Sequence, residues 1–307
     1  MDNKVKTLRA MVRGVYDLQH MRIINGNRLA ANFRSKLGLK SSDKEESDEE
    51  SAKVLKQLRE RYKKITDGIA NEGIPSMKKF KGDEIISSYQ ELVLLENYFS
   101  LEAREQRSFR QIEQILIEFP IYNEFLSKVR GCGPAMSAVI ISEIDIHKAK
   151  YVSSIWRYAG LAVKPIFAED GITIIGGKAQ SMKKEHLVEV EYTDKNGEIK
   201  TKLSIDFNPF LKAKMLGVLA GSFIKLSNPK YSQIYRDYKS RLENYIDHKE
   251  KSKGHRDNMA KRYMVKRFIA DLYAAWRPLE GLDAHPEYHI AKLGMLPHGQ
   301  DNVTSEN

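Results

Sequence analysis

The chain has 307 residues, 41% of them hydrophobic and 30% charged, which is enough for one large globular domain or two small ones. No apolar run approaches the roughly 18–20 residues that span a bilayer, the N-terminus lacks an apolar signal segment, and the single Cys132 excludes an internal disulfide or a cysteine-based zinc site; a cytoplasmic protein is expected. Lysine and arginine number 51 against 41 acids, a net charge of +10, and part of the acid is concentrated in Ser41–Ser51 (SSDKEESDEES), so the remainder is more basic still and a polyanion, above all nucleic acid, is the expected partner.

In chain order, Val5, Leu8, Val12, Val15 and Leu18 space an apolar stripe that predicts a helix over 4–37, with a break or kink at Asn25-Gly26-Asn27. Residues 1–40 form a helical arm, and the acidic 41–51 segment reads as a solvated linker. A second helix is expected near Ala52–Ile69, then a loop at NEGIP. Ile85–Phe119 reads as a long helix or a helix pair, with helical spacing at both ends (Ile85, Tyr89, Leu92; Phe109, Ile112, Leu116, Phe119) around a polar middle. An intramolecular helical hairpin is the favoured reading of this 52–119 region; a coiled coil that pairs two copies is the alternative.

Beyond Pro120 the expected C-terminal domain covers 120–280, followed by a polar tail over 281–307. VRGCGPAMSAVIISEI predicts a turn into an apolar helix, and IWRYAGLAV another buried helix with a glycine break. Glu189–Ile205 alternates apolar and polar residues around Lys195-Asn196-Gly197, a β-hairpin pattern in which Asn-Gly would supply the positive φ angles of a tight turn. Helical spacing returns over Phe210–Leu226, Tyr231–Tyr245 and His255–Trp276. The fold class is therefore mainly α: a helix-hairpin-helix core, a small inserted β-hairpin and a long helical N-terminal region.

Three features carry chemistry. Val129–Ala138 (VRGCGPAMSA) fits a helix-hairpin-helix turn, in which Gly131 and Gly133 let the backbone approach a phosphate and the following helix offers its positive end. Lys128, Arg130 and Cys132 complete that turn. Such a grip holds the DNA backbone without reading sequence; a plain inter-helix glycine turn is the bland alternative. The helix from His255 interleaves Arg256, Lys261, Arg262 and Lys266 with apolar residues, so one face can pack while the other meets phosphate; a solvated surface reads equally well. The third feature is negative. No strands in the N-terminal half carry converging carboxylates, Pro286 separates His285 from His289, and Gly176-Gly177-Lys178 lacks the spacing of a P-loop.

GCGPAMSAVIISEI, YAGLAVKP, Gly-Gly-Lys with a serine, and NPFLKAKMLGVLAGSFI, in that order, resemble the C-terminal transposase domain of the DEDD-type insertion-sequence transposases, which include the Piv-type DNA invertases. The resemblance covers about Ile115–Trp276, with Asp206–Ile224 similar to that domain's Gly-Asn-x-x-Leu-Arg helix. It implies DNA transposition or recombination, an attacking serine whose best match is Ser181, and a structured guide RNA as partner in some members. Lys178, Lys183 and Lys184 would flank that serine as phosphate-stabilising cations. The family's magnesium belongs to a RuvC-like domain with an acidic tetrad, which this sequence does not display, and the β-hairpin is an insertion relative to the family pattern. Magnesium is thus implied only by resemblance, and self-association is an open expectation. Two other readings stand beside the transposase-like one: a non-catalytic DNA-binding or architectural protein derived from it, and a helical protein-interaction module.

Overall fold

The computed structural model describes all residues except 1, 35, 37–43, 70–72, 170–173, 184–186, 246–249 and 287–307. The architecture is mainly helical with small antiparallel ribbons, and the chain divides into two compact units, Ala10–Ile112 and the remainder, Met1–Arg9 with Glu113–Asn307. No helix among the described residues is long and apolar enough to cross a membrane.

The Ala10–Ile112 unit is built from α1 (Asn3–Arg34), α2 (Lys44–Thr66) and α3 (Tyr89–Leu116). Leu29, Phe33, Val54, Leu58, Ile86, Leu92, Leu95 and Tyr98 close its core. The expected break at Asn25-Gly26-Asn27 does not occur. Gly26 is instead a close-approach residue, since a Cβ there would stand 3.0 Å from the Tyr98 ring and 3.6 Å from Leu55. Helix α2 starts at Lys44, inside the segment expected to be a linker. Glutamate is a good helix former, and acids at a helix start are favoured by its dipole, so an acidic run is no barrier to a helix. Ile85–Phe119 yields one helix rather than a pair. Ser88 starts it with a capping box: its Oγ accepts the Glu91 N–H, while Glu91 Oε2 accepts the Ser88 N–H. The polar middle of α3 is engaged inside the unit, where Glu102 takes both guanidinium nitrogens of Arg59 at 2.7 Å and Glu105 takes Arg22 at 2.5 Å.

The second unit is organised around α5 (Pro134–Glu143) and α10 (Lys253–Leu279). In α5 every residue from Met136 to Glu143 is buried. The apolar face of α10 (Met264, Val265, Phe268, Ile269, Leu272, Trp276) is likewise buried, and α10 packs on α4 (Pro120–Glu124), α6 (Val152–Tyr158), α8 (Ala220–Lys225) and α9 (Tyr231–Asn244). Phe223 stacks on Tyr231 at 4.8 Å and meets Phe268 edge-on at 5.3 Å, which ties α8, α9 and α10 together. Helix α7 (Pro209–Ala213) runs through a π-helical turn, Lys214–Leu219, into α8.

Two ribbons interrupt the helices. The expected hairpin is present as β3 (Val188–Thr193) and β4 (Ile199–Ser204). Its turn differs from the expectation: only Gly197 has positive φ, the Gly197 N–H reaches the Asp194 carbonyl, and Asp194 Oδ1 accepts the Asn196 and Glu198 N–H groups. Three residues, not two, turn the chain. The asparagine sits at ordinary φ because the Asp194 carboxylate stabilises a type I turn, leaving only the following glycine left-handed. The other ribbon, β1 (Val163–Phe167) with β2 (Ile174–Ala179), follows the glycine break of the IWRYAGLAV segment and was not among the elements expected from the sequence. Helix α6 stops at Tyr158 because Gly160 turns at φ +68°.

Candidate nucleic-acid interface

A short 3₁₀ turn, Leu126–Lys128, leads from α4 into the Val129–Gly133 hairpin. The two glycines do different work. Gly131 has φ +96°, and a Cβ there would stand 3.0 Å from the Phe223 ring, so this glycine is required by conformation and by packing against α8. Gly133 has φ −70° and ψ 172°, which any residue adopts, and a Cβ there would meet nothing within 4 Å. It is the exposed N-cap of α5, and no side chain caps that helix. Pro134 follows at the first helical position, where its missing N–H costs nothing. The first turn holds no acid, so no carboxylate of the helix itself offsets its positive end at the exposed Gly133.

Cys132 is turned the other way. It is buried, its Sγ lies 3.6 Å from Ser137 Oγ, and burial pushes the thiol up to about 12. Its side chain is therefore part of the core and not of a binding surface, a correction to its place among the DNA contacts; only its main chain can serve there. Arg130 and Lys128 are exposed beside the hairpin, Lys128 with Glu124 at 3.2 Å. Asn228 was not singled out in the sequence. Its Nδ2 donates to the Arg130 carbonyl at 2.7 Å, and its Oδ1 accepts the N–H groups of Lys230 and Tyr231, so one side chain starts α9 and holds the hairpin. Asn-Pro before a helix was the available signal. Between hairpin and α9 lies a groove of about 560 Å³, with Phe125, Val129 and Ala275 among its apolar lining and Lys128, Arg130 and Lys230 among its cations.

Ser181 leaves the end of β2, half-buried, and its Oγ accepts the N–H of exposed Lys183 at 3.3 Å. Gly176, Gly177 and Lys178 lie within β2, Lys178 opposite Lys164; the Lys178 side chain and the whole of Lys184 lie outside the described residues. The buried Gln180 anchors this strand end. Its Oε1 accepts the Ala162 N–H at 3.1 Å, its Nε2 donates to Asp206 at 2.8 Å, and its carbonyl accepts from Lys212 Nζ at 2.5 Å. Neither Gln180 nor Lys212 stood out in the sequence.

The basic residues of α10 do not share one open face. Lys261 pairs with Asp257 at 2.7 Å, Lys266 sits 4.8 Å over the Trp156 ring, Arg256 Nη1 donates to the Lys251 carbonyl at 2.5 Å, and Arg262 is largely drawn inside. The structure thus brings Lys128, Arg130, Gly131 and Gly133 together, and places Arg256, Lys261 and Lys266 in contacts of their own.

Among the described residues, the acids nearest the core motifs do not assemble a metal centre. Glu143 is fully buried and its Oε2 takes Asn208 at 2.6 Å and Arg9 at 2.9 Å; Asp206 takes Arg157 at 3.2 Å and Gln180. Among the described residues no three potential ligands gather as a metal site would require. The magnesium implied by the resemblance therefore does not fit this set, and His289 and Asp170 lie outside the described residues. No protein-family model, curated protein or solved structure matches the chain.

Proposed function

We propose that the chain binds nucleic acid through the sugar–phosphate backbone at the Val129–Gly133 hairpin, as a DNA-binding, transposase-like protein of a mobile element acting in transposition or recombination. The observation that carries this reading is the uncapped, outward N-terminus of α5 at exposed Gly133, with Arg130 and Lys128 beside it and open space where a Cβ would stand. A phosphate is the group that such a turn accepts, and a sequence-independent grip follows from contacts that never reach base edges. The +10 charge supports the same partner class, and a structured guide RNA would offer the same phosphates. A second reading, binding without strand cleavage, is favoured by the engagement of Glu143 and Asp206 by neighbouring side chains.

The test uses Gly133→Asp. Aspartate is a better N-cap than glycine, so folding stability is expected to stay level or rise by a few tenths of a kcal/mol. The same carboxylate puts negative charge where the phosphate would sit, and affinity for a labelled DNA duplex should fall about tenfold, the weight of one charge-assisted contact. Unchanged affinity in the folded variant removes the hairpin from the binding surface.

A further inference from the structure

Lys212 and Arg262 share an uncommon situation in the second unit. Lys212 is half-buried and Arg262 largely buried, and among the described residues no carboxylate acts on either: what holds the Lys212 ammonium below its usual range is burial followed by the charge of Arg262, and what lowers the Arg262 guanidinium is burial, opposed by Tyr238. Arg262 Nε is buried without a hydrogen-bond partner among the described residues. Asp206, which holds the same strand end, is engaged by Arg157 and Gln180. Two neighbouring, desolvated, unneutralised cations are costly to a folded chain, and they are repaid when an anion arrives.

The Lys212 stem is also fixed in place. It lies against Gly160, where a Cβ would come within 2.7 Å of its Cδ, and its ammonium stands 4.7 Å over the Phe207 ring. Its Nζ donates to the carbonyl of Gln180, the residue before Ser181. A planar guanidinium with an unused N–H, beside an ammonium with donors to spare, matches the oxygens of a phosphate.

We infer that Lys212 and Arg262 form a phosphate-binding site that seats a phosphodiester beside Ser181. The inference deepens the nucleic-acid reading and rests on it for the source of the phosphate. It adds a second point of contact to the hairpin, on other elements (α7 and α10), and gives Ser181 a cationic neighbourhood that does not depend on Lys178 or Lys184. Lys212 and Arg262 are binding residues here; no bond-making step is assigned to them.

The experiment compares the full chain with Lys212→Met and Arg262→Gln in two assays. In thermal unfolding at low salt, inorganic phosphate is set against sodium chloride of equal ionic strength. In anisotropy titrations, a labelled DNA duplex is bound at several salt concentrations. The unsubstituted chain should gain melting temperature from phosphate, and both variants should lose that gain. In chloride the variants should melt no lower than the parent, because an uncompensated buried charge has gone. Their salt dependence for DNA should flatten by about one in slope for each contact removed. A gain from inorganic phosphate assigns a site open to free phosphate. A flattened slope without that gain assigns one that takes only the phosphodiester. Variants that match the parent in both assays, or that melt well below it in chloride, overturn the inference. The hairpin reading fails separately: Gly133→Asp would then bind DNA like the parent while Arg262→Gln does not.

Discussion

The hairpin at Val129–Gly133 and helix α10 carry similar basic residues and differ in what the protein does with them. At the hairpin, Arg130 is exposed and the helix end beside it is uncapped, while the buried Cys132, Ser137 and Asn228 hold the backbone from behind. On α10, Lys261, Lys266 and Arg256 are engaged by the protein itself: by Asp257, by the Trp156 ring and by a main-chain carbonyl, while Arg262 is drawn inside with its Nε unpartnered among the described residues. A run of lysines and arginines therefore does not define a nucleic-acid surface. What distinguishes the two regions is whether the surrounding fold has already satisfied the charge.

The comparison is broken most severely at Gly131. Its φ of +96° is unfavourable for an L side chain, and the added methyl of Gly131→Ala would press on Phe223 at 3.0 Å. The backbone strain alone costs about 1–3 kcal/mol, and crowding against a packed ring adds to it. Chemical denaturation should show a loss of at least that size, in contrast to the near-neutral Gly133→Asp two residues on. Equal stability of the two variants would mean that the hairpin is not held by α8, and the division of labour between its glycines would be lost.

That division was not readable from the motif. G-x-G announces a turn at two positions, and the pattern located the turn because glycine spacing is local. The role of Gly131 depends on Phe223, about ninety residues on, and that of Gly133 on the open space beside it. The same limit explains the rest. Helices α1, α3, α5, α9 and α10 followed from apolar periodicity, and the β3–β4 ribbon from alternation around Asn-Gly. The β1–β2 ribbon was missed because Val163–Phe167 follows directly on a helical pattern and carries no alternation long enough to mark it. The start of α2 lies inside the acidic run and was not legible there, because a cluster of glutamates marks solvent exposure and helix start alike. Of the candidate site, Arg130, Gly131 and Gly133 were legible; Asn228, Gln180 and Lys212 were not, since each is defined by partners 18 to 98 residues away or by a capped helix end.

A smaller effect is expected at Asn228. Asn228→Ala removes the cap of α9 and the hydrogen bond to the Arg130 carbonyl together. The loss of cap and buried bond should lower stability by about 1–3 kcal/mol. DNA affinity, measured where the variant is fully folded, should fall by less than for Gly133→Asp, since the hairpin is loosened and not obstructed. An affinity loss larger than that of Gly133→Asp would move the binding surface from the hairpin to the start of α9.

The smallest effect sharpens the comparison from the α10 side. In Lys266→Met the ammonium over Trp156 is lost, while the Lys266 carbonyl that accepts Trp156 Nε1 is main chain and stays. The methionine retains an apolar stem against the ring, so the stability change should be about 0.5–1 kcal/mol, the size of one cation–π contact. Because this charge is already spent on the indole, duplex affinity should shift by less than about twofold, and the salt slope should stay level. Arg130→Ala is the paired measurement, expected to reduce the slope by about one because that charge faces outward. If Lys266→Met flattened the salt dependence as much as Arg130→Ala, the ammonium would have to leave Trp156 to reach a phosphate. The Lys266 side of α10 would then belong to the binding surface, and proximity to an aromatic ring would no longer separate a structural lysine from one that meets nucleic acid.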